Sequence, residues 1–240
     1  MKKIITLTLL FFLFSTKSIW AHALWIETKP TGAIGTEQLI KIYYGEYSYN
    51  VIEAIDSDAF NKVNNYTIWL ISPDGKKESL KPKAHGSFYQ VSYTPTQNGV
   101  YTIELNNNQI DVIDYTQYDF GIFKTHYHST TMFTVGTNPS ETKASNPKGL
   151  VIQNLPTSSD SLKIRIEYKG EILKNGEVTI SIADQWSKKV YTNENGETLL
   201  HLPWAVKYFI EVTKKEEVPG NYKGDDYSFI WHCATQMICL

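Results

Sequence analysis

Short stretches in which apolar and polar residues alternate, closed at regular intervals by turn dipeptides, restrict this chain to β-structure. Period-2 or short apolar runs occur at residues 23–27, 39–44, 66–71, 87–93, 100–105, 110–115 and 131–135, and Tyr, Ile, Val and Thr dominate them. Pro73-Asp74-Gly75, Asn98-Gly99 and the Asn106-Asn107-Asn108 triplet punctuate them as hairpin chemistry does. A second series covers residues 150–155, 162–168, 177–183, 189–192, 198–202, 208–212 and 227–230, with Asn175-Gly176 and Asn195-Gly196 as turns. Between the two series, Gly136 to Gly149 collects Thr, Asn, Pro, Ser and Lys without apolar periodicity, as a linker does. The expected architecture is therefore all-β, with β-sandwich domains over residues 22–136 and 150–240 joined by a linker at 137–149. Residues 50–63 are the one stretch with near-helical spacing, through Val51, Ile52, Ile55 and Ala59, and read as a helix or equally as a long loop.

Residues 1–21 read as a secretory signal peptide, because Lys2 and Lys3 precede an apolar run from Ile4 to Phe14 that is too short to span a bilayer. The 240-residue chain carries 23 basic and 25 acidic residues. Removing the leader takes three lysines and no acid, leaving 20 against 25, a charge of −5. With Arg165 as the single arginine, a nucleic-acid partner is not expected. The expected location is periplasmic or otherwise exported and soluble, without membrane insertion after cleavage. Cleavage after Ala23 fits the small-x-small rule through Ala21-His22-Ala23, whereas cleavage after Ala21 leaves His22 as the first residue. Export permits disulfides. On one extended strand Cys233 and Cys239 lie about 20 Å apart, so they pair only if the tail folds back and are otherwise two thiols.

The segment GEILKNGEVTISIADQWSKKVYTNENGETLLHLPWAVKYFIEV resembles the transthyretin-like or carboxypeptidase-regulatory-like β-sandwich pattern. The order AHALWIE, KIYYGE, GVYTIEL, the sandwich and a closing GNYKGDDYSF resembles a family of exported proteins of undefined function associated with nickel or cobalt uptake, from Ala21 to about Phe229. That resemblance implies a histidine at the mature end and so favours cleavage before His22. Glu46 matches the Gly-Glu pair of that pattern and reads as a strand-end turn residue, or else as a carboxylate ligand or an acceptor behind a ligand histidine. The tail Trp231-His232-Cys233 matches nothing in the family pattern.

A terminal His22 offers its α-amine and Nδ1 to one metal ion, and His126-Tyr127-His128 places two imidazoles on one face of a strand. The expected metal ligands are accordingly His22, His126 and His128, for a divalent transition metal: nickel, cobalt, copper or zinc. His85 and His201 read as exposed, and His232 either as a distant ligand or as a buried, hydrogen-bonded residue. No G-x-S-x-G, H-E-x-x-H, phosphate-loop or dinucleotide signature is present, so no catalytic residue is assigned. Asp225-Asp226 falls on opposite strand faces, unlike a working acid–base pair. The expected function is non-catalytic capture of the ion for an uptake system, with a membrane transporter component as the expected partner and release below about pH 6 as the histidines protonate. The alternative is a carbohydrate- or protein-binding module, for which tryptophans such as Trp25, Trp186, Trp204 and Trp231 would supply a stacking face.

Overall fold

The computed structural model describes residues 22–136, 144–156 and 161–240. The proposed leader at 1–21 and most of the linker, residues 137–143, lie outside them. Thirteen strands of five or more residues carry the fold. They are β1 (Ala23–Thr28), β2 (Gln38–Glu46), β3 (Thr67–Ile71), β4 (Phe88–Tyr93), β5 (Gly99–Asn107), β6 (Gly121–Val135), β7 (Leu150–Leu155), β8 (Ser161–Tyr168), β9 (Glu177–Ile182), β10 (Trp186–Tyr191), β11 (Glu197–His201), β12 (Lys207–Glu216) and β13 (Phe229–Cys239). The fold is all-β. The 50–63 segment forms a short strand at Val51–Ile52 and a single helical turn, Asp58–Asn61, in which Ser57 Oγ accepts from the Phe60 amide at 3.1 Å. One turn suffices to bury Phe60, and Val63 is buried just beyond it.

One ten-stranded sheet runs through the molecule in the order β10-β9-β12-β13-β6-β5-β3, extended by short edge pairings. Two smaller sheets lie against it. β1, β2 and β4 close the first core, where Trp25, Ile42 and Leu24 meet Tyr101, Ile103 and Phe133 of the shared sheet. β7, β8 and β11 close the second, where Ile152, Ile164 and Leu200 meet Val178, Ile210 and Val212. The molecule is thus two sandwiches built on one common sheet.

The expected division at 136 and 150 separates most of the two cores but not the sheets. β13, from the chain's end, pairs antiparallel with β12 and parallel with β6. Because side chains alternate along a strand, β13 serves both cores at once: Cys233 and Met237 enter the first, Ala234 the second. β12 does the same through Phe209 on one face and Tyr208, Ile210 and Val212 on the other. The continuous extension of β13 also settles the tail: Cys233 and Cys239 are unbridged thiols, the first buried and the second partly so.

Candidate metal centre

β6 and β13 fix the site. Their parallel register sets His126 directly beside His232, and His128 beside Ala234. His126 and His128, two residues apart, share one face of β6, and the register turns His232 to the same side. The ring centroids are 4.9 Å apart for His126 and His232, 5.6 Å for His128 and His232, and 6.4 Å for His126 and His128. One nitrogen from each ring lies within 4.8 Å of the other two. His232 is 0% exposed and His128 6%, while His126 is partly open.

Hydrogen bonding decides which nitrogens face inward. His232 Nε2 meets Glu216 Oε2 at 3.0 Å, and a carboxylate can only accept, so the ring proton sits on Nε2 and the Nδ1 lone pair points at His128. His128 Nδ1 lies 2.7 Å from Asn106 Oδ1 and also 2.7 Å from Asn146 Nδ2. The two amide hydrogens of Asn146 have acceptors in Leu150 O at 3.1 Å and Asn106 Oδ1 at 3.0 Å. The 2.7 Å approach of His128 Nδ1 to Asn106 Oδ1 is a hydrogen bond when His128 carries its proton on Nδ1 and donates it to Asn106. His128 Nε2 and His232 Nδ1 then face each other as two lone pairs 3.2 Å apart. Ligand nitrogens on a tetrahedral ion with bonds of about 2.0–2.1 Å stand about 3.3 Å apart, so this pair already has the spacing of a coordination edge. His126, the third ring of the cluster, makes no hydrogen bond to another described side chain.

All three imidazoles are neutral at pH 7. Burial, then the neighbouring His232 and the Lys124 ammonium, push His126 down to about 4. Burial and the two other histidines hold His128 well below the usual range. Burial also lowers His232, against the opposing pull of Glu216. Glu216 itself is raised by burial, yet hydrogen bonds from Lys169, His232 and Tyr168 outweigh that and bring it down to about 2. Tyr168 stands edge-on to His232 at 5.1 Å, with its hydroxyl 3.4 Å from Nε2. The chain passes so close to the inward edge of His128 that a Cβ on Gly149 would stand 2.2 Å from His128 Nε2, so any side chain there would displace the ring.

His22 does not join this cluster, and here the expected ligand set is corrected. Tyr127 lies between the two ligand histidines of β6, so its side chain leaves the opposite face, and its hydroxyl donates to His22 O at 2.8 Å. His22 therefore sits across the sheet, its Nε2 2.8 Å from Glu53 Oε1 and its ring 5.3 Å from Tyr44. The position expected of His22 is taken by His232, from the tail the family pattern leaves unmatched. The sequence offered one signal for it: a histidine inside the apolar run Phe229 to Cys233, where only a hydrogen-bonded or liganding imidazole is tolerated.

The remaining candidates lie elsewhere. Glu46 accepts from the Ser48 hydroxyl, His85 stacks on Phe88, and Asp225-Asp226 is an exposed hairpin strand. Trp25 is buried in the first core, and the half-exposed Trp204 meets Trp186 edge-on at 79°, not as a flat stacking face.

No family model and no curated protein matches the chain. Among solved structures it is similar to Salmonella alpha-2-macroglobulin, at 9% identity and a TM-score of 0.28 over 92% of this chain and 15% of that one. It is also similar to a two-domain fibronectin type-III segment of chicken tenascin, at 13% identity and a TM-score of 0.23 over 90% and 97%. A third is the Parabacteroides merdae β-glucuronidase, at 10% identity and a TM-score of 0.23 over 91% and 25%. Likeness at this level carries no argument about function.

Proposed function

We propose that this protein reversibly binds a divalent transition-metal ion through His126, His128 and His232. The observation that supports it is the pair of inward lone pairs at 3.2 Å, each fixed by an acceptor on the ring's far nitrogen. Three neutral imidazoles without a carboxylate or thiolate in the inner set suit nickel, cobalt, copper(II) or zinc rather than calcium or magnesium. The protein acts by holding the ion, not by turning over a substrate, and the uptake-family resemblance makes delivery to a transporter component the fitting role. Export follows from the leader in the same reading. Among the described residues no helix is long and apolar enough to cross a membrane. The low values of the histidines shift acid release downward from the pH 6 expected of ordinary imidazoles, toward about pH 4 for His126.

Titrating residues 22–240 with each of the four ions by calorimetry tests this. One-to-one binding that disappears in the His126→Ala, His128→Ala double variant supports the reading. Equal binding by the variant overturns it.

A further inference from the structure

Resting on that metal reading, we infer that the centre takes its fourth ligand from outside, as an oxyanion of the carboxylate class paired with Lys124. Three histidines leave one position of a tetrahedral ion open. The only partly exposed member of the trio is His126, so the open position lies on its side. Lys124 precedes His126 by two residues on β6 and so shares its face. Its side chain is 5% exposed, and its ammonium donates to Ile110 O at 2.8 Å and lies 3.4 Å from the centroid of the Tyr222 ring. A carbonyl and a π face solvate this charge without neutralising it, and no carboxylate forms an ion pair with Lys124 among the described residues.

The surrounding charges lead to the same conclusion. Asp111 acts electrostatically on Lys124 without forming an ion pair with it, and its carboxylate is held by Lys223 at 2.8 Å. Glu216 is held by Lys169 and by the outer nitrogen of His232. Lys214 adds a further cation beside Tyr168. The ligand rings are neutral, so a bare dication would enter a partly buried site whose unpaired neighbours are already positive. Charges of one sign confined away from water are expensive, and an anion that arrives with the metal relieves that cost. A carboxylate oxygen at the fourth position, with its partner oxygen toward Lys124, matches both demands. An organic acid that chelates the ion and inorganic carbonate present this same chemistry.

Cobalt(II) loaded onto the protein in chloride-free, non-coordinating buffer gives a visible spectrum that reports its ligands. Addition of acetate in one arm and bicarbonate in the other should shift that spectrum saturably, and the stronger response identifies the organic or the inorganic source. In Lys124→Met the anion's affinity should fall by about tenfold while cobalt affinity without anion is kept, and Lys124→Arg should restore the response. A cobalt spectrum that neither anion changes overturns the inference and leaves the metal site standing. Absence of any cobalt spectrum overturns the metal reading itself. Should Lys124→Met not fold, the wild-type response and that of Lys124→Arg decide.

Discussion

At the residue scale, the account depends on protons held on the far side of two rings. Glu216 fixes His232 with Nδ1 inward, so Glu216→Gln should reduce metal affinity by about 10- to 100-fold with the fold intact, as loss of a ligand's outer partner does. Competition against a chromophoric chelator measures this, and unchanged affinity would mean that Glu216 does not orient the ring. Gly149 makes a separate demand. A methyl group there collides with the His128 ring, so Gly149→Ala should weaken metal binding although no ligand is replaced. His22→Ala should leave affinity unaltered, because that side chain lies across the sheet with Glu53 and Tyr44. His126 and His128 were legible in the sequence because their two-residue spacing is a local strand rule. The exclusion of His22 was not, since it depends on which face Tyr127 takes.

At the scale of the element, β13 is where two neighbouring residues have opposite duties. Cys233 enters the first core and His232 faces the histidine cluster. Cys233→Ser puts a hydroxyl in an apolar site and should cost about 1–3 kcal/mol in urea unfolding while metal titration stays normal. His232→Ala should abolish binding. If Cys233→Ser removed metal binding in a fully folded protein, the assignment of faces would be wrong. Period-2 and short apolar runs revealed most strands, since β2 and β8 alternate while β1 and β7 open on continuous apolar runs. They understated the two that build the site: β6 begins at Gly121 rather than at 131, and β13 extends to Cys239 rather than ending at 230. Both carry polar residues on a buried face, which breaks the apolar pattern at the place where function resides. Their parallel pairing spans more than a hundred residues of sequence, and no turn encodes its register.

At the scale of the whole molecule, the shared sheet makes the two sandwiches interdependent. A fragment ending at residue 149 lacks β12 and β13, and with them Phe209, Cys233 and Met237 of the first core, so it should fail to give the dispersed amide spectrum of a folded domain. A well-dispersed spectrum would show that the first sandwich stands alone. Acid stability follows from the same buried imidazoles. A histidine whose folded value is depressed contributes fully above the unfolded value of about 6.5, and loses its contribution as pH falls from there toward the folded value, about 4 for His126. Glu211, raised to about 7 by burial and then by Glu46, works in the opposite direction between about 7 and 4.5. Three imidazoles outweigh one carboxyl, so the urea midpoint of the metal-free protein should decline between pH 6.5 and 4.5. Below 4.5 the Glu216 contribution is lost as well, as pH falls toward about 2. A midpoint that rises across that first window would contradict the neutral, buried state of the trio.

The central claim is that one ion sits among three histidines drawn from β6 and β13. Anomalous diffraction from crystals of residues 22–240 grown with zinc or nickel, recorded on both sides of the metal edge, tests it most directly. One strong peak is expected about 2.0–2.1 Å from His128 Nε2, from His232 Nδ1 and from one nitrogen of His126. A peak at His22 and Glu53 instead, or no peak near β6 at saturating metal, would contradict it.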